Sequence, residues 1–326
     1  MHILIIGAAG MVGRKLTMAL VAAGEIGGKA IARLTLADII APNTPATEIP
    51  SSAVAIDLAT PGTAEKLVAE RPDLIFHLAA IVSGEAEADF DKGYGVNLDG
   101  TRQLFEAIRQ EGLREPYSPR LVFTSSIAVF GEPLPPSISD DQVHTPLTSY
   151  GTQKAICELL LADYSRRGFL DGIGIRLPTI VVRPGLANKA ASGFFSGIIR
   201  EPLVGMEAVL PVSDDVRHWF ASPRAAIGFL LHAASLDTAP LAQRRTLTMP
   251  GLSATVGEEL AALAHFAGSK ALALIRRAPD DNIARIVAGW PQNFEARRAI
   301  GLGFRAETRF EDIVQAHIED ELGGRI

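Results

Sequence analysis

Tyr150 and Lys154 stand four residues apart in a segment that reads as a helix, continuing through Ala155-Ile156-Cys157-Glu158-Leu159-Leu160-Leu161-Ala162. At that spacing both side chains leave one face of the helix. A phenol titrates at about 10, too high for a general base at neutral pH, and a neighbouring ammonium favours the phenolate. Upstream lies Thr124-Ser125-Ser126, where Ser126 would hydrogen-bond the substrate oxygen that the phenol deprotonates. The chemistry that fits these three groups is proton removal from an alcohol as its hydride departs. Taken alone, a Tyr-x-x-x-Lys pair is better read as a surface helix with an amphipathic Tyr and a solvated Lys, because the pattern is short and common by chance. Order along the chain decides between them: a glycine turn, a serine-rich strand end, then Tyr and Lys opening a helix.

The elements that must position these groups are legible upstream. Ile3 to Ile6 is a continuous apolar run suited to a strand buried on both faces, followed by Gly7-Ala8-Ala9-Gly10-Met11-Val12-Gly13 and a helical run from Arg14 to Ala23. Gly7 permits the tight turn and Gly10 lets the backbone approach a pyrophosphate. Met11 and Val12 belong to the helix N-terminus that would face it, and Gly13 allows close packing. The spacing is Gly-x-x-Gly-x-x-Gly, a departure from the Gly-x-Gly-x-x-Gly form. Ala32 to Ala37 reads as the next strand, and Asp38 at its end is placed to accept hydrogen bonds from adenosine ribose hydroxyls. That favours NAD over NADP, because a 2′-phosphate would be repelled and Ile39-Ile40 offer no arginine. The alternative is a strand-terminating turn aspartate. Asp38 lies farther from Gly13 than the usual interval of about 20 residues, so Glu25 to Lys29 is expected to form a small extra loop.

Pro42 to Ser52 reads as a surface loop and Ala53 to Ile56 as a third strand. Asp57-Leu58 follow where an adenine amino group could be read, although Asp57 could equally cap a turn. Leu74 to Ala80 is the fourth strand, ending in Leu78, Ala79 and Ala80, which let the backbone run beside a cofactor; His77 reads as a satisfied, partly buried histidine. Ile81 to Gly95 reads as a loop rich in acids and glycine, before a helix from Arg102 to Gln110. Asn97 would hold a backbone in place or support a water chain behind Lys154. Arg120 to Ser126 is the fifth strand, with its serines at the C-terminal end where doubly wound sheets bind ligands.

Composition sets the bounds. The chain has 326 residues, 48% hydrophobic and 21% charged, enough for one large or two modest globular domains. A net charge of −6 argues against a nucleic-acid partner, so an anionic substrate must be held by local cations. A single cysteine, Cys157, leaves no intramolecular disulfide and fits a reducing compartment, where its apolar surroundings suggest packing. No apolar run reaches the about 18 residues of a membrane span, and no signal peptide is evident, so the expected location is cytoplasmic. The histidines show no metal-ligand spacing.

Together these residues resemble the extended short-chain dehydrogenases, the NAD-dependent epimerase/dehydratase family. Gly7, Gly10 and Gly13, Asp38, Asp57-Leu58, His77-Leu78-Ala79-Ala80, Asn97, Ser125-Ser126-Ile127-Ala128-Val129-Phe130-Gly131 and Tyr150-Gly151-Thr152-Gln153-Lys154 follow that family's motifs in order. The resemblance implies an α/β fold with a doubly wound parallel sheet, of Rossmann type, and a smaller C-terminal α/β substrate-binding subdomain. It gives residues 1–182 with about 216–250 to NAD binding, and 183–215 with 251–326 to the substrate. It assigns the catalytic serine to Ser126 with Ser125 beside it, the acid/base to Tyr150, and the ribose-binding lysine to Lys154. The strand near Ile173–Thr179, with Pro178, would border the nicotinamide. It also implies a homodimer pairing the Arg102 and Tyr150 helices.

Outside those motifs, Ile81–Glu85, Arg183–Phe195 and Val216–Trp219 look most like a subgroup that oxidises a four-carbon sugar acid at C2 to the 2-oxo acid. Arg217-His218-Trp219-Phe220-Ala221 departs from the Arg-Asp-Phe-x-His pattern of sugar-nucleotide enzymes. Ile127-Ala128 replaces the Asp-Glu of dehydratases and argues against their chemistry. Arg183, Lys189 and Arg217 are the cations available to a small carboxylate, and Arg217 is favoured, the alternative being an ion pair with Asp214 or Asp215. Ser83, Asn188 and Ser192 could bond substrate hydroxyls or merely cap turns. Two alternatives to the sugar-acid dehydrogenase remain: a sugar-nucleotide epimerase or L-threonine-type dehydrogenase with the same apparatus, and a non-enzymatic regulator that senses NAD. The Tyr-Lys pair speaks against the last.

Overall fold

The computed structural model describes residues 1–185 and 191–326. The chain divides into two compact units, each drawn from three segments. Met1–Val129, Thr148–Arg176 and Ile227–Leu247 form the first; Phe130–Leu147, Leu177–Ala226 and Thr248–Ile326 form the second.

The first unit is built on a seven-stranded sheet. Its strands are β1 (His2–Ile6), β2 (Arg33–Asp38), β3 (Ser51–Ala55), β4 (Leu74–His77), β5 (Arg120–Ser126), β6 (Asp171–Leu177) and β7 (Thr246–Thr248). They lie in the order β7-β6-β5-β4-β1-β2-β3. The pairings of β1 with β2, β1 with β4, β2 with β3 and β4 with β5 are parallel. This is the doubly wound Rossmann arrangement, and the chain reverses its winding between β1 and β4. The carboxyl ends of those two strands open a crevice there. β1 is buried along its whole length, as its unbroken apolar run requires of a parallel strand covered on both faces. On one face Leu104, Phe105 and Ile108 of the helix Gly100–Arg114 pack with Leu121 and Phe123 of β5 and Cys157 and Leu161 of the helix Ser149–Arg166.

Two expectations need correction in this unit. The residues after β4 are not a loop: Ser83–Ala88 and Phe90–Gly93 are helical, followed by a π-helix over Tyr94–Asp99. Ala and Glu in Ser83-Gly84-Glu85-Ala86-Glu87-Ala88 are strong helix formers, and Asp89 caps the next turn by accepting from the Lys92 amide at 3.0 Å. β4 itself stops at His77, leaving Leu78, Ala79 and Ala80 beyond the strand. The extra segment before β2 is a small hairpin of Glu25–Ile26 with Lys29–Ala30, turned by Gly27 and Gly28 at positive φ.

The second unit has a three-stranded sheet, Leu252–Thr255, Arg217–Ala221 and Thr179–Ile180, and a parallel pair of Ala208–Leu210 with Ile275–Arg277. The helices Gly193–Leu203, Val256–Leu272 and Phe310–Glu321 close a core around Phe195, Ile198, Phe220, Leu263, Phe310 and Ile313. Thr255 and Glu258 cap the second of these helices reciprocally. Among the described residues no helix is long and apolar enough to cross a membrane.

Candidate active site

The glycine turn is shaped by close approach. Gly7 takes φ +95°, and a Cβ there would lie 2.6 Å from the Ala79 amide nitrogen. A Cβ on Gly13 would lie 2.2 Å from the Gly7 carbonyl oxygen, so this glycine admits the helix Met11–Ala23 against the turn itself. Gly10 is the exposed N-cap of that helix, whose first turn carries neither an acidic residue nor a side-chain cap. The amides of Met11 and Val12 thus open a helix end that suits a phosphate. Asp38 ends β2 beside the turn: one carboxylate oxygen accepts from the Ala9 amide at 2.9 Å and the other from Ile39 at 2.7 Å. Each oxygen keeps lone pairs for a ribose hydroxyl. Asp57 is exposed and accepts from the Ala59 amide, so it does cap the following turn, while Leu58 is buried. Leu78 and Ala79 are half-buried and Ala80 is exposed at the carboxyl end of β4. These residues fit a dinucleotide.

Thr148 starts the second essential helix by accepting from the Gly151 amide at 3.1 Å, which puts Tyr150 and Lys154 in its first two turns. Tyr150 is half-buried, and Ser126, at the end of β5, is the side chain that acts on its hydroxyl. Burial pushes this phenol above its ordinary value and Ser126 pulls it back. In the protein alone burial wins, opposite to the lowered phenol that the Tyr-Lys spacing suggested. Lys154 is buried, with Nζ donating to the Thr124 carbonyl at 2.8 Å and standing 5.7 Å from the Tyr150 ring centroid. Burial lowers its ammonium to about 8, with Cys157 and Glu158 opposing that shift.

Behind this group lies a buried polar layer. The Asn97 amide is fully used, accepting from the Ile81 amide at 2.8 Å and donating to the Ile81 carbonyl at 3.1 Å and to Gln153 Oε1 at 2.7 Å. It clamps the backbone at Ile81, the backbone-holding role that the sequence suggested. His77 is wholly buried, and Thr101 Oγ1, which gives its proton to the Asn97 carbonyl, accepts from His77 Nε2 at 2.8 Å. Burial, then Lys154, depress the imidazole to about 3, so it stays neutral. Cys157 packs against this layer with its thiol pushed up to about 11 by burial.

Ser125 does not join Ser126. Its hydroxyl donates to Glu158 Oε1 at 2.5 Å, and Glu158 is held by Arg176 of β6 through Nε at 2.9 Å and a second guanidinium nitrogen at 2.7 Å. Sequence reasoning missed both members of this pair. Glu158 carried a signal, the continuation of the Tyr150 and Lys154 spacing by one further turn; Arg176 carried none.

Of the remaining residues, Ser83 is half-buried at the start of its helix and Pro178 is buried in the second unit. Asn188 and Lys189 lie outside the described residues. Arg217 meets Glu258 at 3.3 Å and the Ser253 carbonyl at 3.0 Å, whereas Asp214 is taken by Arg277. The favoured carboxylate ligand thus has an internal partner, and not the one expected. Arg183 donates to the Ser192 carbonyl and hydroxyl at 3.1 and 3.2 Å. Among the described residues no carboxylate pairs with it, and burial together with Arg200 pulls its guanidinium below the ordinary value. His218, buried against Phe195, Phe220 and Trp290, bonds Thr179 through Nε2 and is held neutral by burial at about 3.

A doubly wound sheet, a phosphate-ready glycine turn with a ribose-ready acid, and a Ser-Tyr-Lys group are the apparatus of a nicotinamide-dependent oxidoreductase. The chain belongs to the NAD dependent epimerase/dehydratase family, whose pattern matches residues 3–223. It is 44% identical over 324 residues to the D-erythronate dehydrogenase of Cupriavidus necator, covering 98% of each chain. To the D-erythronate dehydrogenase of Haemophilus influenzae it is 41% identical over 322 residues, 99% of this chain and 100% of the other. A solved structure described as the nucleoside-diphosphate-sugar epimerase from Agrobacterium tumefaciens is 66% identical, with a TM-score of 0.98 over 99% of this chain and 95% of that one.

Proposed function

We propose that the chain is an NAD-dependent dehydrogenase that oxidises a small sugar acid at C2, with D-erythronate to 2-oxo-D-erythronate as the candidate conversion. The observation that carries it is Tyr150 at the start of its helix, with Lys154 Nζ 5.7 Å from its ring and Ser126 acting on its hydroxyl. The two dehydrogenases matched along their whole length support the substrate class.

In this reading Tyr150, as phenolate, takes the C2 hydroxyl proton while Ser126 holds that oxygen. Lys154 favours the phenolate and grips the nicotinamide ribose. Met11, Val12 and Asp38 hold the pyrophosphate and adenosine ribose. NAD, when bound, supplies the hydride acceptor and a positive charge that also favours the phenolate. Alignment of the reacting atoms to within about 3 to 3.5 Å is the larger part of what the protein contributes. Arg183, with no carboxylate of its own among the described residues, replaces Arg217 as the proposed cation for the substrate carboxylate. A homodimer through the helices Gly100–Arg114 and Ser149–Arg166 belongs to the same proposal, supported by Leu113 and Leu159, exposed at 65% and 66%.

The 66% identical epimerase structure favours a second reading, a sugar-nucleotide epimerase. One assay separates the two. Purified protein with NAD is offered D-erythronate, D-threonate, L-threonate, L-threonine and UDP-galactose, and NADH absorbance is followed alongside product analysis. NADH formation with D-erythronate alone is the expected result. Epimer from the sugar nucleotide without net NADH would replace the proposal by the second reading. Tyr150→Phe should cut turnover at least about a hundredfold while NAD still binds.

A further inference from the structure

The Glu158–Arg176 pair has no part in the chemistry above, yet it is tied to it at one bond's remove. Three consecutive residues at the end of β5 each reach the helix Ser149–Arg166 or its side chains. The Thr124 carbonyl accepts from Lys154, the Ser125 hydroxyl donates to Glu158, and the Ser126 hydroxyl acts on that of Tyr150. Tyr150, Lys154 and Glu158 are spaced four apart, so strand end and helix are joined at three successive turns. The last joint is the rigid one. Glu158 is 3% exposed and accepts two guanidinium nitrogens of Arg176, a planar fork that fixes the carboxylate's orientation.

We propose that Glu158, oriented by Arg176, is a positioning residue: by anchoring Ser125 it sets where the adjacent Ser126 hydroxyl meets Tyr150. This rests on the reading of Ser126 and Tyr150 as the groups that handle the substrate hydroxyl. A strand alternates its side chains, so an anchor on Ser125 fixes the rotation that aims Ser126 to the opposite side. Removing the anchor therefore loosens the bond to Tyr150 without touching either member of it. The titratable groups that act on Lys154, between Tyr150 and Glu158 on the helix, are Cys157 and Glu158 on that helix and His77 on β4.

Ser125→Ala is the direct test, because it removes the joint and leaves the Glu158–Arg176 pair intact. The first readout needs no substrate. The phenolate titration of Tyr150, isolated as the difference between the parent and Tyr150→Phe, should move upward by roughly half a unit to one unit, as a weakened hydrogen bond requires. The second is steady-state kinetics: kcat should fall roughly tenfold, since a misplacement of about 1 Å can cost on the order of a hundredfold, with KM for the hydroxy acid unchanged. A raised KM at constant kcat would instead make Ser125 a substrate ligand and overturn the proposal, as would an unmoved titration. The double variant Glu158→Gln/Arg176→Met, which removes both members of the ion pair together, should reproduce the titration shift. The titration decides the inference even if none of the sugar acids is turned over, so the two readings fail separately.

Discussion

Replacing Lys154 by methionine keeps the reach of the side chain and removes its charge, and the structure gives this one change two opposite consequences. The ammonium lies 5.7 Å from the Tyr150 ring centroid. At an effective dielectric of about 20 a unit charge at that distance stabilises the phenolate by about 3 kcal/mol, or about two units of titration. Losing it raises the phenol, so the pH at which the rate rises moves upward by about two units and kcat at neutral pH falls about a hundredfold. Stability moves the other way. Burial lowers the folded-state value of Lys154 to about 8 from 10.5, so the buried ammonium destabilises the fold fully below pH 8, and that penalty disappears as the pH rises to 10.5. The difference corresponds to about 3 kcal/mol, against which stands the lost bond to the Thr124 carbonyl, about 1 to 2 kcal/mol. Lys154→Met should therefore melt higher than its parent at pH 7, by an amount that shrinks toward pH 10. Rate against pH by NADH absorbance and melting at both pH values test the pair of effects. A variant within threefold of the parent kcat, or one less stable at pH 7 than at pH 10 relative to the parent, would refute the reasoning.

Three further substitutions probe the rest of the site. Asp38→Ser removes the charge that would meet a 2′-phosphate and should raise the ratio of NADP to NAD in kcat/KM at least about tenfold; an unchanged ratio would return Asp38 to a turn-capping role. Arg183→Met should raise KM for the sugar acid roughly ten- to a hundredfold, the worth of a charge-assisted pair. Arg217→Met, which loses a half-exposed contact with Glu258 and a bond to the Ser253 carbonyl, should stay within about twofold, and the reverse ranking in a side-by-side assay would restore Arg217 as the ligand. Gly13→Ala drives a methyl to 2.2 Å from the Gly7 carbonyl and should cost about 2 kcal/mol or more, seen as a lower melting midpoint and weaker NAD binding by titration calorimetry.

What could be read ahead of the structure follows from range. β1, β5 and the helix carrying Tyr150 were legible because their signals are local: an apolar run, a glycine turn, a serine-rich strand end and a four-residue spacing. β5 begins and ends where the sequence suggested, Arg120–Ser126. The segment after β4 was misread because glycine and acids look like loop composition, while alternating Ala and Glu between them favour a helix. The ion pairs were not legible at all. Arg217 finds Glu258 because its strand pairs antiparallel with Leu252–Thr255, setting Arg217 opposite Thr255 at the start of the capped helix. Arg176 reaches Glu158 because β6 lies beside β5, a neighbourhood that strand order creates and spacing does not encode. The sign of the Tyr150 shift was missed for the same reason: the cation was visible from the sequence, the burial was not.

The division of the chain into units that each return twice has a consequence during synthesis. The sheet of the first unit needs a segment, Ile227–Leu247, that leaves the ribosome after the whole of the second unit's middle segment, and the second unit in turn waits for Thr248–Ile326. The first unit can close only once Leu247 is out and the second only once Thr248–Ile326 has followed, so neither folds as one uninterrupted stretch as in a beads-on-a-string protein. The nascent strand edge at β6, which β7 will cover, stays open until late in translation. No single cut in the coding sequence yields either unit whole, so an isolated nucleotide-binding piece would have to be made by joining three fragments rather than by truncation.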